Sequence, residues 1–210
     1  MAKGQPKSRP TWVDVRAKLA SFDRGGLLAL LQHLYAADEG NRAFLHARFG
    51  LGQDPLQPYK KTVDRWLWPD VSRGQEASVS RAKRAITGYR KAIGEPEGLA
   101  ELMVYYCERA AGFCRDVSHQ DTAYFDALVR TFEQALKISA TLAANTQNGL
   151  LKRLDRVRSI GHELGYGIGD EMDVLLAEYV PSFFSRGVLH GDRRREGRRG
   201  GTSSAVPDRI

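Results

Sequence analysis

The 210-residue chain is long enough for one domain with its own core and short for two. Its 42% hydrophobic and 27% charged residues are ordinary for a globular protein, and no stretch approaches the roughly 18 consecutive apolar residues of a membrane span. The net charge of +7 is uneven: residues 1–10 carry +3 and 181–210 carry +4, which leaves 11–180 neutral.

Met1 to Pro10 is polar and basic, with no apolar run behind it, so it does not read as a secretory signal, and a cytoplasmic setting is expected. Thr11, with Asp14 three residues on, reads as the cap of a short amphipathic helix over 12–22. Trp12, Val15, Leu19 and Phe22 share one face of it. Asp23 caps a second helix over 24–38, in which Leu27, Leu28, Leu31, Leu34 and Tyr35 follow the 3.6-residue period. A third helix, 41–49, carries Phe44, Leu45 and Phe49 before Gly50, Gly52 and Pro55 break the chain.

The segment 58–70 changes texture: Pro58 suits a first helical position and Pro69 ends the run. Residues 76–93 read as a helix with Val79, Ala82, Ala85, Ile86, Tyr89 and Ile93 inward, and Gly94 then Pro96 is a stop followed by a start. The helix over 97–117 is apolar on two sides and is expected to be buried on both. Cys107 and Cys114 lie on it seven residues apart. At about 1.5 Å of rise per residue their Cα atoms are roughly 10 Å apart, too far for a disulfide, and they read as small core residues. Ser118 and Asp121 form a capping-box pattern for a helix over 120–142. Helices over 147–164 and from Met172 to Tyr179 complete the body.

No alternating strand pattern, hairpin signal or internal repeat is present. The expected fold is therefore all-α: a single bundle of about seven to nine helices over 11–180, between a disordered basic N-terminus (1–10) and a disordered Arg/Gly-rich tail (181–210). The runs WVDVRAKLASFDRGGLLALLQHLY, NRAFLHARF, YKKTVDRWLWPD and YRKAIGEPEGLAELMVYYCERAAGFC resemble a bacterial family of all-helical proteins catalogued as a domain of unknown function. The resemblance covers about 11–180. It implies bacterial origin, a cytoplasmic setting and a helical fold, and it brings no activity and no functional residues.

The charge layout gives the first functional candidate. Segment 59–91 holds nine basic and three acidic residues, whereas 92–180 holds eight basic and fourteen acidic. Lys60, Lys61, Arg65, Arg73, Arg81, Lys83, Arg84, Arg90 and Lys91 are interleaved with Tyr59, Trp66, Trp68 and Tyr89. Cations neutralise phosphates and aromatic rings stack on exposed bases, so Lys60, Lys61, Arg65, Arg81, Arg84 and Lys91 are candidate nucleic-acid contacts. The competing reading is that this basic segment packs on the acidic half of the same chain, with the tryptophans as core anchors. A second candidate is the cluster Arg193, Arg194 and Arg195, which suits a flexible arm on RNA or DNA or, equally, a solubilising tail.

A third candidate is catalytic. Arg156 and His162, with five residues between them, resemble the Arg-x4-6-His motif of the HEPN ribonucleases, also all-helical, in which Arg and His act together on the RNA backbone. Val157 stands where that family usually has a polar residue. A histidine near a helix end is equally suited to bonding the free carbonyls there. The histidines at 33, 46, 119, 162 and 190 lack metal-ligand spacing, and no phosphate-binding glycine loop is present, so no metal or cofactor is expected. The acidic run 169–173 lacks the ligand order of a calcium loop and reads as acids at a helix N-terminus. The expected function is a non-enzymatic interaction module whose partner is nucleic acid or protein, with a metal-independent ribonuclease and a structural homo-oligomer as the alternatives.

Overall fold

The structure, a computed structural model, describes residues 9–181. Nine α-helices occupy them, with no strand among the described residues. In chain order these are α1 (Trp12–Leu19), α2 (Arg24–Ala37), α3 (Glu39–Arg48), α4 (Gln57–Leu67), α5 (Val79–Ala92), α6 (Pro96–Val117), α7 (Thr122–Ser139), α8 (Ala144–Leu164) and α9 (Ile168–Tyr179). The expected terminal tails fall almost wholly outside the described residues. No helix among the described residues is long and apolar enough to cross a membrane.

The helix ends follow local chemistry. Asp14 accepts hydrogen bonds from both the backbone N–H (2.7 Å) and the hydroxyl (2.9 Å) of Thr11, and these hold its carboxyl below the usual range. Asp23 accepts from the Gly26 N–H at 2.7 Å, and Asp121 from the Tyr124 N–H at 2.7 Å. Asp121 alone therefore caps α7. Ser118, expected to share that role, instead closes α6 in the left-handed region, at φ 52°. A single 3₁₀ turn at Val71–Arg73, capped by Asp70, follows Pro69 and delays α5 until Val79.

The core is built around α6. Leu102, Met103, Val104, Tyr106, Cys107, Ala110, Ala111, Phe113 and Cys114 are all buried, so the helix is enclosed on both sides as its composition predicts. α6 packs on α7, α8, α4 and α5, and α9 closes the far side against α7 and α8. Both cysteines are unpaired and buried; burial raises both thiols, Cys114 to about 12, which leaves them without thiolate at neutral pH.

The N-terminal helices depart from expectation. Their apolar stripes predict burial, yet α1 and α2 contain no buried residue. α2 rests on α3 and α3 on α5, so the segment is an arm on the bundle rather than part of its core.

Candidate nucleic-acid interface

The basic segment folds into the α4–α5 hairpin. Tyr59 meets Tyr89 edge-on at 5.5 Å between ring centres, and the Ser78 N–H donates to the Trp66 carbonyl at 2.8 Å. These contacts make the two helices antiparallel. Their inner faces, Val63 and Leu67 on α4 and Ala82, Ala85, Ile86 and Tyr89 on α5, enter the core. Lys61 and Arg65 are one turn apart on the outer side of α4, and Arg81, Arg84 and Lys91 are exposed on α5.

The half-buried Trp66 draws this surface together. The Arg81 guanidinium lies 4.3 Å from its ring centre and the Arg65 guanidinium 5.2 Å. The negative face of the indole attracts both cations and fixes side chains that would otherwise be long and free. Lys61, Arg65, Arg81, Arg84 and Lys91 form no salt bridge among the described residues. The result is five exposed cations on one helical hairpin, two of whose guanidinium groups share the Trp66 ring.

Of the other members of the basic segment, Arg90 is exposed without a salt bridge among the described residues, and Lys60, Arg73 and Lys83 meet other groups. Lys60 donates to Glu101 at 2.7 Å, and Arg153 of α8 bonds Glu101 and Glu108 of α6. Burial opposes charge on Glu101, but the hydrogen bonds from Lys60 and Arg153 outweigh it and hold the carboxyl below its usual range. Lys60 is thus a structural cation, and for it the packing of basic segment on acidic half is the one the structure realises. Arg73 pairs with Asp70 at 3.1 Å. Lys83 is half-buried, and burial, followed by the nearby Arg130, lowers its pKa. Trp68 carries no outward role: Arg109 lies 4.1 Å from its ring and pairs with Asp64 at 2.6 Å, while Tyr105 donates to Asp64 at 2.7 Å. Arg193, Arg194 and Arg195 lie outside the described residues.

Arg156 and His162 are not brought into one constellation. Six residues at about 100° each place them roughly 120° apart around α8. Arg156 is exposed, without a salt bridge among the described residues. His162 instead meets two acids of the run 169–173: its Nε2 is 3.1 Å from Asp173 and its Nδ1 3.8 Å from Asp170, both on α9. Arg158, one turn before His162 on α8, bonds Asp173 at 2.8 Å and Asp155 at 2.9 Å. The one-turn spacing of Arg158 and His162 was visible in the sequence; their partners needed the α8–α9 turn. Gly169 makes that close approach, since a Cβ there would overlap the His162 ring. His162, Asp170 and Asp173 offer one nitrogen and two oxygens within 4.8 Å of one another, a set that a borderline metal such as zinc accepts. The Arg158 guanidinium already fills one side of Asp173 and opposes a further cation there.

Two surface depressions lie apart from these groups, one beside Ala47, Leu51 and Ile93 and the other beside Phe125, Tyr166 and Ile168, and neither is lined by a histidine or cysteine. Comparison with known family models, curated proteins and solved structures found no match.

Proposed function

We propose that the protein is a non-enzymatic helical module of the bacterial cytoplasm that binds nucleic acid through the outer face of α4 and α5. The observation that carries this reading is the set of exposed, acid-free cations in which Arg65 and Arg81 both lie over Trp66. Guanidinium groups fixed on a ring present planar donor forks that match phosphate oxygens, and they lose little freedom on binding. Contacts of this type set position and affinity and carry no sequence information. The arginine cluster at 193–195 adds the same chemistry on a second segment.

Charge reversal tests the reading. Arg65→Glu with Arg81→Glu is expected to weaken binding to labelled RNA and DNA more than tenfold, with the thermal transition held, because both side chains are exposed. Binding that is unchanged in this variant would remove the α4–α5 face from the account. RNA cleaved by the unaltered protein and intact with Arg156→Ala or His162→Ala would instead favour the ribonuclease reading.

A further inference from the structure

The arm formed by α1 and α2 carries an apolar face that nothing in the described chain covers. Trp12 is 68% exposed, Leu28 58%, Leu31 46% and Leu34 47%. In α2, Leu27, Leu28, Leu31, Leu34 and Tyr35 fall within about 120° of one another around the axis, a stripe of core-facing width. Nine of the fourteen residues of α2 are apolar, and such helices are normally enclosed.

The arm is nonetheless well defined. Asp23 caps α2, and Asp38 caps α3 through the Gly40 N–H at 2.7 Å. The Asn41 side chain donates to the Leu34 carbonyl at 2.8 Å, and the Tyr35 hydroxyl lies 2.9 Å from His46 Nε2. Phe22 folds against Gly26, where a Cβ would come within 3.2 Å of the ring. Polar groups thus fix the α2–α3 hairpin while the leucine stripe stays open.

We propose that this face is covered by the same face of a second copy, giving a two-fold symmetric dimer whose interface is a layer of α1 and α2 from each chain. Three observations select a second copy. The segment 11–38 holds three basic and three acidic residues, so two copies meet without net repulsion, and the leucine stripe has no charge with which to recognise a charged partner. With full areas of roughly 150–250 Å² for the aromatic residues and somewhat less for leucine and valine, the exposed apolar residues from Trp12 to Tyr35 leave on the order of 800 Å², what one partner brings to a standard interface. A helix stripe of leucines three and four residues apart is self-complementary under a two-fold axis, as an isologous contact requires.

Sedimentation equilibrium of the full chain, without nucleic acid, tests this. The average mass is expected to rise with concentration from 23.4 kDa toward twice that value. Leu31→Glu and Leu31→Lys are each expected to weaken the dimer about tenfold or more, by burying like charges near the axis. The helical signal should be kept, since α2 contributes no residue to the core. Mixing the two variant chains should restore the dimer, which a merely misfolded arm would not do. A mass of one chain at every concentration overturns the proposal, as does a dimer indifferent to Leu31→Glu. A chain that stays monomeric in buffer yet sediments with neutral phosphatidylcholine vesicles also overturns it, assigning the face to a lipid surface.

Discussion

Arg153 ties three helices together, because it reaches from α8 to Glu101 and Glu108 on α6 while Lys60 of α4 completes the site on Glu101. Removing it strands the half-buried Glu108 carboxylate and leaves Glu101 with Lys60 alone. Arg153→Met is expected to cost about 2–3 kcal/mol in urea unfolding, below the 3–5 kcal/mol of a fully buried pair because some solvent reaches the site. The pH dependence has a definite sign. Glu101 is held below its ordinary value of 4.5, so its contribution is complete above that pH and is lost as pH falls through the lower folded-state value. The stability gap between the unaltered protein and Arg153→Met should therefore shrink below pH 4.5, and a gap constant from pH 7 to 3 would contradict the assignment. Trp66 gives the matching test for binding: Trp66→Ala is expected to weaken RNA affinity several-fold by freeing Arg65 and Arg81, with Trp66→Phe in between. At this scale residue types were legible in the sequence and pairings were not. Lys60 and Lys61 are adjacent and chemically alike, yet one turn angle sends Lys60 to Glu101 and Lys61 to solvent.

Element by element, the helices were legible because their ends carry their own chemistry: Asp23, Asp121, Gly94 and Pro96 act where they stand. Contacts between helices were less visible, and glycines show why. Gly112 of α6 admits the Trp68 ring, and a Cβ there would come within 2.8 Å of it. Gly149 of α8 has open space around it. Gly112→Ala is expected to destabilise by about 1–3 kcal/mol through displacement of the indole. Gly149→Ala is expected to stabilise by about 0.5–1 kcal/mol, because alanine favours the helix and meets nothing. Urea midpoints of the two variants check both signs. Nothing in the sequence shows that Gly112 faces the Trp68 ring while Gly149 faces open space. The uncovered stripe of α2 was equally hidden: its period is that of a core helix, and only the absence of a covering neighbour among the described residues marks it as a surface.

Across the whole molecule, a neutral apolar arm and a basic hairpin occupy different elements, α1–α2 and α4–α5, and only Lys60 of the hairpin joins the Arg153 cluster that holds the bundle. The charge imbalance between 59–91 and 92–180 pointed to the hairpin, but its division into paired and free cations required the fold. The salt dependence of nucleic-acid binding tests the central claim most directly. It should be measured for the full chain, for Arg65→Ala with Arg81→Ala, and for a variant with Arg193, Arg194 and Arg195 changed to Ala. Loss of two phosphate contacts is expected to flatten the slope of log affinity against log salt by about 1.4–1.8 in the first variant. The tail variant should retain the part of the slope that belongs to the hairpin. A slope unchanged by the hairpin substitutions and abolished by the tail substitutions would contradict the claim and place all binding outside the folded body.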